Sequence, residues 1–139
     1  MDLILYPDPI LHQICEPVKH FDSTLQDLLD DMLILMKTSK GIGLAAPQVG
    51  ILKRLFICEI ADKNISIMNP TIKNARGETE MEEGCLSLPG IKVSITRKQS
   101  IRLSGYDFNG QKIDLAMTDL WARVAQHELD HLNGILICD

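Results

Sequence analysis

The sequence has no long apolar run, no block of basic residues and no paired-cysteine spacing, and each absence removes a class of function. The apolar stretch from Met32 to Met36 is only part of a helix face, far short of a bilayer span, so no membrane partner is expected. Fourteen Lys and Arg against nineteen Asp and Glu give a net charge of −5 with no cationic cluster, which argues against direct nucleic-acid binding. The N-terminus lacks a basic region followed by an apolar one, because Asp2 and Asp8 bracket a short Leu-Ile-Leu-Tyr run; the chain is therefore expected in the cytosol. Four cysteines, Cys15, Cys58, Cys85 and Cys138, show no Cys-x-x-Cys pair, which removes a zinc ribbon and a dense disulfide framework. Cys15 and Cys58 stand among apolar neighbours as small buried hydrophobes, and Cys138 is incidental. Cys85 sits in a loop or strand end. Aromatics are scarce at 4%, but 45% hydrophobic content suits an ordinary globular protein, and 139 residues suit one domain spanning 1–139.

What is present reads as an α+β fold. Residues 1–20 carry Pro7, Pro9 and Pro17 and form an extended, turn-rich lead-in. Asp22 or Ser23 then caps a helix running to about Lys40, with Leu25, Leu28, Leu29, Met32, Leu35 and Met36 on its apolar face. Gly41 stops it. The segment from Gly41 to Gly50 is too glycine-rich for a helix interior and too apolar for a solvated linker, and its glycines let another backbone approach. Arg54–Ile60 is β-rich, and Ile65–Met68 is a shorter strand ended by Asn69-Pro70. Gln99–Phe108 and Gln111–Met117 flank Asn109-Gly110, read as a two-residue hairpin turn. The last helix is capped by Thr118, has Asp119 in its first turn and ends at Gly134. Antiparallel strands packed around this central helix, with the N-terminal helix beside them, make the α+β domain.

The chemistry is concentrated in that last helix. In Gln126-His127-Glu128-Leu129-Asp130-His131 the two histidines are four residues apart, so they stack on one helix face within reach of one cation. Glu128 follows the first of them, where its carboxylate can serve a metal-bound water without filling a coordination position. Two histidines in a core helix are often satisfied by carbonyls alone. Here Leu120, Val124, His127 and His131 form one stripe while Trp121, Ala125 and Leu132 form another, so the helix is buried on more than one side. Two histidines and a glutamate at such depth are costly unless something binds them.

A catalytic divalent site wants three protein ligands and one open position. Only five residues follow Gly134, so Cys138 or Asp139 would need a sharp reversal and the third ligand belongs upstream. His12, His20, Cys85 and several carboxylates are the candidates. Cys85 lies in Glu83-Gly84-Cys85-Leu86-Ser87-Leu88-Pro89-Gly90, where Gly and Pro suit a loop presenting a thiolate and a backbone N–H.

With these residues the chain resembles the peptide deformylase family, whose signatures match 41–48 (Gly-Ile-Gly-Leu-Ala-Ala-Pro-Gln), 83–87 (Glu-Gly-Cys-Leu-Ser) and 126–134, in the same order. Tyr6-Pro7-Asp8 and the Phe21-Asp22 helix start are similar too. The resemblance implies a hydrolase that removes the formyl group from the N-formylmethionine of nascent polypeptides. It implies that Cys85, His127 and His131 bind one divalent ion, Fe²⁺ in function with Zn²⁺, Ni²⁺ or Co²⁺ as substitutes, and water in the fourth position. Glu128 would act as general base and then acid, with the Gln48 side-chain amide and the Leu86 N–H stabilising the oxyanion. Gly43 and its neighbours would line the strand-like path of the peptide, and Ile42, Leu120, Val124 and the His127 ring would receive the methionine side chain.

Several residues carry milder expectations. Asp130 turns away from the ligands towards a salt bridge along the helix or a supporting contact behind them, Gln126 supports the site or makes an ordinary polar contact, and His12 and His20 face solvent. Glu83 braces the metal loop or caps a turn, and Arg97 and Lys92 are exposed charges placed to touch the distal end of the peptide. Asp119-Leu120-Trp121 stands where members of the resembled family commonly carry a glycine and smaller apolar residues. The chain ends soon after the metal helix, like the short deformylases encoded by some bacteriophages, so the resemblance implies no ribosome docking through a C-terminal helix, though the substrate is met near the ribosome. The competing readings are an unrelated metallopeptidase using the same helix motif and a catalytically silent binder of nascent N-termini.

Overall fold

The computed structural model describes residues 1–139. Helix α1 spans Ser23–Thr38, and the Asp22 carboxylate opens it by accepting the Leu25 N–H at 3.2 Å. Its buried residues Leu25, Leu29, Met32 and Met36 recur at three- and four-residue steps and so occupy one face. Strands β1 (Gly43–Ala45), β2 (Leu55–Ile60), β3 (Lys63–Arg76), β6 (Ser100–Tyr106) and β7 (Lys112–Thr118) form an antiparallel sheet in the order β1-β2-β3-β6-β7. β4 (Thr79–Cys85) and β5 (Leu88–Arg97) pair only with each other, as a separate two-stranded sheet. Helix α2, Asp119–Leu132, follows β7.

The start of β2 shows why the sheet lies between the two helices. Leu55, Phe56, Ile57 and Cys58 are all buried, and successive side chains on a strand point to opposite faces. Phe56 and Cys58 pack with Ala122, Ala125 and Leu132 of α2, whereas Leu55 and Ile57 pack with Leu29, Met32 and Met36 of α1. A strand covered on both sides reads as a continuous apolar run, which is how it stands in the sequence.

α2 is buried almost all round, including Arg123, Glu128 and His131. Thr118 holds its N-cap position, but the hydroxyl makes no capping bond. The turn into the helix is made instead by Asp119, whose φ of 53° lies in the left-handed region. At the other end Gly134, φ 74°, closes the helix: its N–H bonds His131 O at 3.1 Å and Ile135 N–H bonds Asp130 O at 2.9 Å.

Three further expectations change. β3 does not end at Asn69-Pro70 but crosses it through a bulge, with a register shift between Met68 and Thr71. Asn69 is held there from outside the sheet, its side chain bonding both Val18 N–H and Val18 O. The β6–β7 connection is longer than two residues, because Asp107 N–H bonds Gln111 O while the Asp107 carboxylate takes the Asn109 and Gln111 N–H groups. α1 stops at Thr38, short of Lys40. Of the two readings for Cys85 the strand end holds: it is the last residue of β4, and Leu86-Ser87 is the tight turn of a long hairpin.

Candidate metal centre

The hairpin and the helix meet at Cys85, His127 and His131, whose ligand atoms all lie within 4.8 Å of one another. Cys85 Sγ is 3.4 Å from His131 Nε2, and the two imidazole rings stand 5.1 Å apart, edge to face. The other candidates for the third ligand lie elsewhere: His12 is exposed and pairs with Asp139 at 2.9 Å, and His20 is exposed. His131 Nδ1 is buried with no hydrogen-bond partner. Burial, with His127 and Arg97 nearby, pushes His131 down to about 3, so it is a neutral imidazole with one ring nitrogen free to ligate. Burial also opposes charge on His127, but Glu128, Cys85 and Glu83 outweigh it and lift His127 to about 10. The site's acidic groups thus call for positive charge among them. One sulfur and two imidazole nitrogens are a donor set that fits a divalent transition ion, so the residues suit a metal.

Behind the ligands one carboxylate organises the site. Glu83 Oε1 accepts from His127 Nδ1 at 3.0 Å, which leaves His127 Nε2 to face the cluster. Arg97 grips both Glu83 oxygens at 2.9 Å, and Arg123 Nη1 reaches Oε2 at 2.5 Å. Burial alone would raise the Glu83 carboxyl; the hydrogen bonds from Arg97, His127 and Arg123 hold it far below the usual carboxylate range. Arg97 is therefore not an exposed charge at the distal end of a peptide. Its side chain is largely covered, and it also bonds Asp130 at 2.6 Å. Glu83 is the brace of the metal hairpin, and Asp130 pairs with Arg97 on β5 rather than along its own helix.

Glu128 is 3% exposed, and its Oε1 has no partner. Burial raises it to about 7, against the pull of His127 and Arg97 and with help from Glu83 and Asp130, so it can both take and give a proton near neutrality. Gly43 leaves the room for it: a Cβ there would strike the Glu128 carboxylate and approach Val124 Cγ1 to 2.9 Å. Gln48 is fixed at its oxygen, which accepts the Ala45 N–H at 3.0 Å. Its Nε2 is aimed at Ser87 Oγ, 3.1 Å away, and Cys85 Sγ, 3.5 Å away.

The polypeptide deformylase family model matches residues 1–139. The chain belongs to the polypeptide deformylase family. It is 42% identical to the peptide deformylase of Thermodesulfovibrio yellowstonii, over all of this chain and 87% of that one. The crystal structure of the Thermotoga maritima peptide deformylase superposes with a TM-score of 0.97 at 37% identity, covering 99% of this chain and 95% of that one. A peptide deformylase from Synechococcus elongatus in complex with actinonin gives 0.96 at 39% identity, with 99% and 76% covered. Deformylases are metalloenzymes that remove the N-formyl group from nascent polypeptides.

In this deformylase chain a cavity of about 680 Å³ opens beside the cluster. Gln48, Cys85, Leu86, His127 and Glu128 line it together with Ile42, Gly43, Leu120 and Val124, so nine of the ten residues expected to bind metal or substrate or to act in catalysis face one space. The tenth, His131, lies buried behind them. Ile42 and Leu120 are large apolar side chains left 46% and 38% exposed at this cavity, a surface that an apolar side chain would cover. Lys92 lines it too, whereas Gln126 turns away to bond the Lys98 backbone through both its amide atoms. Sequence reasoning missed Arg123. A charged residue between Ala122 and Val124 in a helix with no polar face was the available signal.

Proposed function

We propose that this chain is a catalytic domain, spanning 1–139, that releases formate from N-formylmethionyl nascent peptides. The observation that carries the reading is the convergence of Cys85, His127, His131 and a protonatable, buried Glu128 on one cavity edged by apolar side chains. Cys85, His127 and His131 hold one divalent ion, Fe²⁺ in function, with Zn²⁺, Ni²⁺ or Co²⁺ able to take its place. When bound, that ion supplies Lewis acidity, which makes water acidic and polarises the formyl oxygen.

The chain's own residues do the rest. Glu128 accepts the proton of the attacking water at its carboxylate and returns it to the amine as the C–N bond breaks, giving formate and a free N-terminus. The Gln48 Nε2–H and the Leu86 N–H, beside Cys85 at the hairpin tip, donate to the oxygen that gains charge. β1 is an edge strand of its sheet, so the peptide backbone can pair along Gly43 while Ile42, Leu120, Val124 and the His127 ring enclose the methionine side chain. Main-chain pairing reads little sequence beyond the first residue, as an enzyme meeting many different chains near the ribosome requires. No helix is long and apolar enough to cross a membrane, and the partly exposed Cys85 thiolate of the proposal suits a reducing cytosol.

The test is formate release from formyl-Met-Ala-Ser by anaerobically Fe²⁺-loaded protein, run beside unblocked Met-Ala-Ser. One formate per new amine, with the unblocked peptide untouched, is the expected result. Cleavage of a peptide bond would instead identify a metallopeptidase, and tight binding without turnover a silent binder.

A further inference from the structure

The three metal-binding side chains arrive on two separate bodies. His127 and His131 ride on α2, which is packed on the five-stranded sheet, whereas Cys85 ends β4 in a two-stranded sheet that shares no ladder with the larger one. Metal–sulfur and metal–nitrogen lengths are held within about 0.2 Å, so the placement of hairpin on helix must be fixed.

Among the α2 side chains that cross this seam, Arg123 alone bonds both strands. Its Nη1 donates to Glu83 Oε2 on β4 at 2.5 Å and to Ile95 O on β5 at 3.0 Å. Its Nη2 donates to Thr79 O at 2.8 Å and Thr79 Oγ1 at 3.0 Å, again on β4. Glu83 precedes Cys85 by two residues, and Arg123 precedes His127 by one helical turn on the same face. The guanidinium is buried, and buried ion pairs add little net stability over a well-packed apolar replacement. What four directed hydrogen bonds supply and an apolar contact cannot is a single docking geometry.

The geometry points to Arg123 as a positioning residue that docks the Cys85 hairpin onto α2 and so presets the spacing of the thiolate from the two imidazoles. The inference rests on the metal reading of the site. It extends the role of the seam from bracing His127, which Glu83 does directly, to aligning the ligand on the opposite body.

The experiment compares wild type, Arg123→Gln and Arg123→Lys by chelator competition for Co²⁺, followed through the thiolate–Co²⁺ absorption, and by amide exchange of residues 83–88 in the metal-free proteins. Arg123→Gln is expected to bind Co²⁺ roughly 10- to 100-fold more weakly, as loss of a residue orienting a ligand does, with faster exchange at the hairpin tip. Arg123→Lys keeps the charge but cannot reach both strands, so it falls between; if Arg123→Gln does not fold, Arg123→Lys decides. A folded variant with a lowered unfolding midpoint and wild-type Co²⁺ affinity would overturn the inference. Weaker Co²⁺ binding with unchanged hairpin exchange would overturn the docking route. Failure of the wild type to bind Co²⁺ would overturn the metal reading itself.

Discussion

Helix α2 meets the five-stranded sheet on one flank and the β4–β5 hairpin on another, and the two contacts are made of different material. Against the sheet, Ala122, Val124, Ala125 and Leu132 pack on Phe56, Cys58, Ile67 and Leu103, a non-directional apolar contact. Against the hairpin, Arg97, Arg123, Glu83, Asp130 and His127 are joined by charge-assisted hydrogen bonds of 2.5 to 3.0 Å. Apolar burial stabilises the helix in place but tolerates small shifts. The ionic seam adds less net stability and fixes the relative position of two metal-binding segments. The fold thus separates what keeps the chain folded from what keeps its site in register.

Two substitutions set the comparison most directly. Phe56→Ala, at a fully buried position, is expected to cost about 3–5 kcal/mol of stability by denaturant unfolding, with Co²⁺ affinity of the folded protein retained. Glu83→Gln leaves two buried guanidinium groups short of their partner and is expected to cost a similar ~3–5 kcal/mol while also weakening Co²⁺ binding. Equal effects of the two on metal affinity would break the distinction. Next, Gly43→Ala places a methyl group against the Glu128 carboxylate and Val124. A misplaced base of this kind is expected to lower kcat/KM by about 100-fold, measured by formate release, with metal content unchanged. A smaller effect is expected at α1, remote from both flanks: Asp22→Ala removes the cap to Leu25 and should lower stability by ~1 kcal/mol, with activity at the wild-type level. Smallest of all, alkylation of Cys138, which is exposed, should change nothing, while Cys15 and Cys58 stay unmodified in the folded protein. Burial pushes those two thiols up to about 11 and about 12, away from the reactive thiolate.

The same two regions differ in how far the sequence reveals them. The apolar face of α1, the alternation of Ile113, Leu115 and Met117 and the spacing of His127 and His131 are local patterns, each set by the period of one element, and they stand in the structure as read. The ligand cluster was legible because the signature around Cys85 joined that of the helix. β4 was not legible: Thr79-Glu80-Met81-Glu82-Glu83 is largely exposed and polar, and it becomes a strand only by pairing with β5. Arg97 looks like a surface cation until the hairpin folds back over α2, and although Arg123 stands out in a helix with no polar face, no local signal names residue 83 as its partner. The path of β3 through Asn69-Pro70 is of the same kind, since the bulge depends on Val18, far away in the chain.

The central claim, that Glu128 moves the proton at a metal site held by Cys85, His127 and His131, is tested most directly by formate release from Fe²⁺-loaded wild type and Glu128→Gln with metal content measured in both. The account predicts that Glu128→Gln keeps its metal and loses activity by at least about 10²- to 10⁴-fold. A metal-loaded Glu128→Gln that turns over at the wild-type rate would contradict it.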